Sequence, residues 1–268
     1  MKIIDAHAHI FPQKLVKVAT EATRSFYDMP SMRHEGSAEA LLAAGKASGV
    51  SKFMVFSTAT APAQVTNIND FIIEQCAAHE EFIGAGTMHR DFADYDGELE
   101  RLCRSGVRGI KFHPDFQRFN IDDEALFPVF AKLSDLGMFI ITHSGDYRYD
   151  YSNPVRVARV AKMYPDLHII AAHFGGWMMW ETARRELILP NVYVDTSSTF
   201  GFVGPETVRT GIAAFDPKHV IFGCDFPMWD HGDELAMLRA LRLPDAQLED
   251  ILYNNFMDFY AACGGSRE

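Results

Sequence analysis

The chain has 268 residues, 48% hydrophobic and 23% charged, the balance of a folded globular protein rather than a disordered one. A formal net charge of −11 without any basic stripe excludes binding to nucleic-acid phosphates or to an anionic membrane surface as the main activity. No apolar run approaches the ~18 residues of a spanning helix; Asp5, His7 and His9 interrupt what a secretory leader would need, and Cys76, Cys103, Cys224 and Cys263 show no paired spacing, so a reduced, cytoplasmic protein is expected.

Residues 2–6 form an apolar run broken only by Asp5; it reads as a buried strand that ends in His7 and His9. Residues i and i+2 of a strand share a face, so both imidazoles project from its C-terminal end, within reach of one metal ion. Segment 13–36 is too long for a minimal strand-to-helix connection; starting beside the histidines, it is expected to lie over them as an insertion. Ser37 then opens a helix that Gly49 closes, and 50–56 is a second strand.

The alternation continues to the end of the chain. Helices are predicted over 66–79, 95–105, 122–136, 153–163, 177–187 and 205–215, with strands at 82–88, 107–112, 138–142, 167–172, 191–195 and 219–223; helices over 233–241 and 245–262 finish the chain. Eight apolar strands alternating with helices are the pattern of a parallel barrel buried on both faces. One (β/α)₈ TIM barrel of ~250 residues accounts for the length, so the chain reads as a single α/β domain over residues 1–268 with an insertion after strand 1 over the C-terminal face.

Barrel enzymes place their chemistry at the C-terminal strand ends, and the ligand-type residues fall there. His7 and His9 end strand 1, Lys111 and His113 strand 4, His143 strand 5, His173 strand 6 and Asp225 strand 8. Neutral imidazoles with a carboxylate suit a borderline ion such as zinc, whose bound water ionises near neutral pH. Asp225 is then both ligand and proton-transfer group, while His173 faces the substrate oxygen on which charge develops. Asp195, ending strand 7, is placed to line the pocket, with capping of the next helix the commoner role of such a residue. Arg24, Arg33 and Arg148 are candidate carboxylate clamps whose ordinary alternative is solvated surface.

The ordered motifs Asp-Ala-His-Ala-His, Gly-Ile-Lys-Phe-His-Pro, Thr-His-Ser-Gly, Ala-His-Phe-Gly-Gly and Gly-Cys-Asp-Phe-Pro span nearly the whole chain. On them it resembles the amidohydrolase superfamily, in its amidohydrolase-2 branch of hydrolases and decarboxylases. The resemblance implies a metal-binding TIM barrel in which His7, His9, His143 and Asp225 hold one divalent ion, usually zinc, with His173 beside the bound water or substrate. In binuclear members a carboxylated strand-4 lysine bridges two ions. Lys111 stands at that position, so one ion is favoured and two remain open, with Lys111 and His113 as second-metal or substrate-binding residues.

The expected activity is hydrolysis of an amide, ester or lactone of a small organic acid by a metal-activated water. The alternative is non-oxidative decarboxylation of a small aromatic or unsaturated carboxylic acid, which uses the same ligands. The third reading is a non-catalytic metal-binding scaffold, which a missing ligand would favour; none is missing. The expected partner is a small-molecule substrate, with no nucleic acid and no membrane, and a homo-oligomer is left open.

Overall fold

The computed structural model describes residues 1–266. Eight parallel strands run in sequence order around one sheet: β1 (Ile4–His9), β2 (Lys52–Phe56), β3 (Phe82–Thr87), β4 (Gly109–Phe112), β5 (Phe139–Thr142), β6 (Ile169–Ala171), β7 (Val192–Asp195) and β8 (Val220–Ile221). The segment just after β8 meets β1 through backbone hydrogen bonds from Ala6 N to Phe222 O (2.9 Å), Asp225 N to His7 O (2.8 Å) and His9 N to Phe226 O (2.7 Å). The barrel is thereby nearly closed, which removes the exposed edges an open sheet would carry.

Alternation along each strand sorts side chains into two cores. Met54, Phe56, Ala85, Phe139, Ile141, Ile170 and Ile221 face inward, and Phe256 and Phe259 pack against that inner set. Phe53, Val55, Ile110, Phe112, Ile140, Val194 and Val220 face outward into the layer shared with the helices. Burial on both sides explains why the strands lack polar alternation.

The helices are α1 (Val16–Tyr27), α2 (Ala38–Ser48), α3 (Val65–Ala78), α4 (Tyr95–Arg104), α5 (Pro114–Gln117), α6 (Phe127–Asp135), α7 (Pro154–Met163), α8 (Trp180–Glu186), α9 (Pro205–Ala214), α10 (His231–Ala240), α11 (Asp245–Glu249) and α12 (Asn255–Ala262). The expected insertion after β1 is present and carries α1. Two expected helices are interrupted. The one over 122–136 begins as a 3₁₀ turn at Glu124–Leu126 before α6, with Asp123 accepting from Ala125 N. The one over 245–262 opens into a π turn at Asp250–Asn254, where the Ile251 carbonyl accepts from Phe222 N (2.9 Å), so that the backbone bonds there are shared between helix and sheet. Among the described residues no helix is long and apolar enough to cross a membrane.

Candidate active site

The site begins with a fault in the pairing of β1. Its register against β2 shifts between Asp5 and Ala8, and Ile4 and Ala6 belong to the inner core while Ala8 and Ile10 belong to the outer one. One extra residue reverses the alternation, so His7 and His9 point into the barrel mouth. Asp5 points the other way, accepting from His7 N (2.9 Å), Cys224 N (2.8 Å) and His231 Nε2 (2.9 Å). That one carboxylate ties the strand carrying His7 to the loop carrying Asp225.

His7 is fully buried and its two ring nitrogens face different partners. Nδ1 lies 2.8 Å from Asp195 Oδ2, while Nε2 faces the cavity, 3.3 Å from Asp225 Oδ1 and 3.2 Å from Lys111 Nζ. His9 Nε2 is 3.5 Å from the same Asp225 oxygen. Donor atoms on a common ion at about 2.1 Å stand roughly 3.0–3.4 Å apart, so these separations fit a shared cation. The approach of β7 and β8 to His7 needs a glycine at position 223, where a Cβ would come within 3.0 Å of His7 Cβ and 3.3 Å of Asp195 Cβ.

His143 and His173 form the opposite wall, with His143 Nδ1 2.9 Å from His173 Nε2. The other nitrogen of His143, Nε2, has no hydrogen-bond partner and stands 3.7 Å from Asp115 Oδ2. His173 Nδ1 is 2.9 Å from Ser197 Oγ and 3.9 Å from Asp225 Oδ2. Asp195 reaches this wall too, accepting from His173 N at 3.0 Å. His173 (φ 60°) and Asp225 (φ 67°) both adopt left-handed backbone, which costs of order 1–3 kcal/mol each and is maintained where the surroundings fix it.

Burial sets the charges. It pushes His7 down to about 3, helped by the neighbouring Lys111 ammonium and against the pull of Asp195 and Asp225. It also lowers His9 and His173, and takes His113 and His143 well below the imidazole range. Burial opposes ionisation of Asp225, but His7, the hydrogen-bonded His9 and His173 outweigh it and hold the carboxyl well below its ordinary range. Lys111, fully buried with its ammonium 4.5 Å from the Phe56 ring centroid, is lowered by burial to about 8. Neutral imidazoles around an ionised carboxylate are the protonation states that metal binding requires.

A family model described as Amidohydrolase matches residues 4–261. The chain belongs to the amidohydrolase family. No curated protein matches this amidohydrolase. Among solved structures it is similar to an uncharacterized TIM-barrel protein from Bordetella bronchiseptica (19% identity, 98% of this chain and 100% of that one, TM-score 0.81). It is similar as well to 5-carboxyvanillate decarboxylase from Sphingomonas paucimobilis (18% identity, 97% and 99%, TM-score 0.74). A third is a dihydroxybenzoic acid decarboxylase from Polaromonas with bound manganese and an inhibitor, 2-nitroresorcinol (15% identity, 96% of each chain, TM-score 0.74). At these identities the likeness is one of fold.

The amidohydrolase cavity of about 50 Å³ is lined by His9, Lys111, His113, His143, His173 and Asp225, and is roofed by Phe11, Tyr27, Phe116 and Met228. Every expected site residue except His7 lines it, and His7 lies directly behind, in contact with Lys111 and Asp225. His7, His173 and Asp225 form one group of donors within 4.8 Å of one another; His143 groups instead with Asp115 and Asp146. His113 is tied on both sides: its Nδ1 caps α5 by accepting from Phe116 N (3.3 Å), and its Nε2 meets Tyr27 Oη in the cavity (2.8 Å). Asp195 caps no helix; it orients His7 and His173. Arg148 is no open carboxylate clamp, because Asp146 engages its guanidinium at 2.7–2.9 Å and Phe26 O takes Nη1 at 2.8 Å. Sequence reasoning missed Asp115, although it follows His113-Pro114 at a strand end, the signal that flagged the histidines; Tyr27 fell within the insertion expected over the histidines, with no role of its own.

Proposed function

We propose that this amidohydrolase is a divalent-metal-dependent decarboxylase of a small aromatic carboxylic acid. The observation that carries the reading is the split character of the cavity. The single buried ammonium of Lys111 and the imidazole–carboxylate cluster lie at its base, and aromatic side chains and Met228 form its roof. An anionic group attached to a flat apolar ring matches that division. The decarboxylases among the similar structures, the Polaromonas one with bound manganese, support it, and hydrolysis, the activity first expected, has no comparable support.

His7, His9 and Asp225 would hold the ion with His143, one ion rather than two. Asp195, 2.8 Å from His7 Nδ1, is the carboxylate partner that leaves the cavity-side Nε2 of His7 free to ligate, while Asp115 stands 3.7 Å from His143 Nε2, beyond hydrogen-bond reach. The ion suits manganese or zinc; when bound, it polarises the substrate oxygens and offsets their charge. Lys111 pairs with the substrate carboxylate. Asp225 takes a proton from a substrate hydroxyl and delivers it to the ring carbon bearing the carboxylate; the carbon–carboxylate bond then breaks, its electrons return to the ring and CO₂ leaves. His173 hydrogen-bonds the substrate oxygen while that charge shifts.

The test is CO₂ release by manganese-loaded protein from a panel of hydroxybenzoic and methoxybenzoic acids, beside a panel of amides, esters and lactones, with 2-nitroresorcinol as binding probe. Release of CO₂ that falls at least ~10²-fold in Asp225→Asn at full metal occupancy is expected. Turnover of the second panel alone would replace the decarboxylase reading with the hydrolase.

A further inference from the structure

Tyr27 is the last residue of α1, and its phenol reaches down from the roof to lie 2.8 Å from His113 Nε2. The direction of that bond is fixed from the other side of the imidazole. His113 Nδ1 accepts the backbone N–H of Phe116 (3.3 Å) at the start of α5. A backbone N–H only donates, so Nδ1 carries no proton. In the neutral ring the proton is therefore on Nε2, and His113 donates to the tyrosine oxygen. The tyrosine's own O–H is left over, and among the described residues Tyr27 Oη has no second hydrogen-bond partner.

The ring that carries that hydroxyl packs among other aromatic side chains. Phe26 (4.8 Å between centroids), Phe116 (5.9 Å) and Trp177 (5.3 Å) surround Tyr27, and the Arg148 guanidinium lies 5.5 Å from its centroid while binding the Phe26 carbonyl. A half-buried phenol with an uncommitted proton, lining the same cavity as Lys111 and His173, is a donor awaiting an acceptor.

We infer that Tyr27 is a substrate-contacting residue: its O–H donates to an oxygen of the substrate's anionic group, opposite the Lys111 ammonium. This rests on the aromatic-acid reading above. It also makes recognition depend on α1, since the hydroxyl is in place only when that helix is down. Charge-assisted bonds of this kind are stronger than neutral ones and sensitive to geometry.

The experiment uses the manganese-loaded protein and its Tyr27→Phe variant, which keeps the ring and its packing. The dissociation constants of 2-nitroresorcinol and of resorcinol, which lacks the nitro oxygens, are measured for both, together with metal content and melting temperature. The expected result is about ten- to a hundredfold weaker binding of 2-nitroresorcinol by Tyr27→Phe, with resorcinol affinity, metal content and melting temperature unchanged. Equal affinity for 2-nitroresorcinol in the two proteins overturns the assignment. So does an equal loss for both probes, which would make Tyr27 a packing residue. If the parent protein binds neither probe nor any acid of the panel, the aromatic-acid reading falls first and the tyrosine assignment with it.

Discussion

Asp195 shows how one side chain organises a site without lining it. It is fully buried, it accepts from His173 N and it faces His7 Nδ1, while Ser197 Oγ also donates to it. Ionised groups are rarely buried unless paired, and here His7 and His173, with hydrogen bonds from His7 and Ser197, overcome burial and hold the Asp195 carboxyl down at about 2. Asp195→Asn keeps the shape but offers His7 a neutral partner. Removing such an outer partner typically costs ~10–100-fold in metal affinity, so manganese titration of Asp195→Asn should show a loss in that range; affinity within twofold of the parent would mean that His7 does not ligate through Nε2. The histidines themselves were legible because strand ends are legible. The role of Asp195 was not, since capping a helix and orienting an imidazole place the same residue type after a strand, and only the fold brings position 195 against position 7.

Among the elements, α1 is the one whose attachment is light. Of its residues only Val16 and Thr20 are buried, and no side chain caps its start. It is held by Arg148 on the Phe26 carbonyl, by Tyr27 on His113 and by Gly36 N donating to Thr20 Oγ1 (3.1 Å). The cavity beneath it, about 50 Å³, is smaller than the ~150 Å³ cavity that accepts benzene. An aromatic acid therefore needs the roof to give way, and α1 is its most lightly attached part. Such low-stability elements exchange their amide hydrogens by local opening, so the amides of α1 should exchange well before those of β4 and β5, and 2-nitroresorcinol should slow them. Protection equal to that of the strands would make α1 a fixed roof and exclude substrates of that size. The contrast with α4 is instructive. There Glu98 accepts a fork from Arg101 (2.7 and 2.9 Å) and the amide of Asn69 (2.7 Å), and Asn69 also binds both backbone groups of Thr87 at the end of β3. Burial pushes Glu98 up, yet these bonds outweigh it and hold the carboxyl below its ordinary value of 4.5. A depressed carboxyl stabilises fully above the unfolded value and loses that contribution as pH falls through the folded one. Glu98→Gln should therefore be less stable than the parent by about 1 kcal/mol at pH 7, the low end because Arg101 is a third exposed. The gap should close on acidification below pH 4.5; denaturant melts at pH 7 and pH 3 with the same gap would remove the charge from the explanation. Strands and most helices were readable from apolar runs and caps. The π turn was not, because it comes from Ile251 giving its carbonyl to Phe222, a contact between distant parts of the chain.

At the scale of the whole molecule, three of the four candidate metal donors come from strands at opposite ends of the sequence order, His7 and His9 from β1 and Asp225 from the loop after β8, with His143 after β5 as the fourth. The seam between those strands has no regular ladder; it consists of Ala6, His9 and Asp225 exchanging single bonds with the opposite side, with Asp5 clamping His7 N and Cys224 N below. An ion bound there bridges the seam. The barrel class was legible from the count of strands together with the ligand-type residues at their ends, but sequence cannot say that the candidate metal cluster is also the closure of the barrel, because that depends on the bulge in β1 and on Gly223 letting the strands approach. The consequence is a linkage between metal and fold. An ion that binds only the native state stabilises it by about 2.7 kcal/mol at a hundred times its Kd, which for a chain of this length is roughly 5–10 °C in melting temperature. Manganese at that excess should raise the melting temperature of the stripped parent by about this amount, and His7→Ala/His9→Ala should abolish the rise. A stripped parent whose melting curve does not move with manganese or zinc carries no native-state metal site at this seam, and the assignment of His7, His9 and Asp225 as ligands would have to be withdrawn.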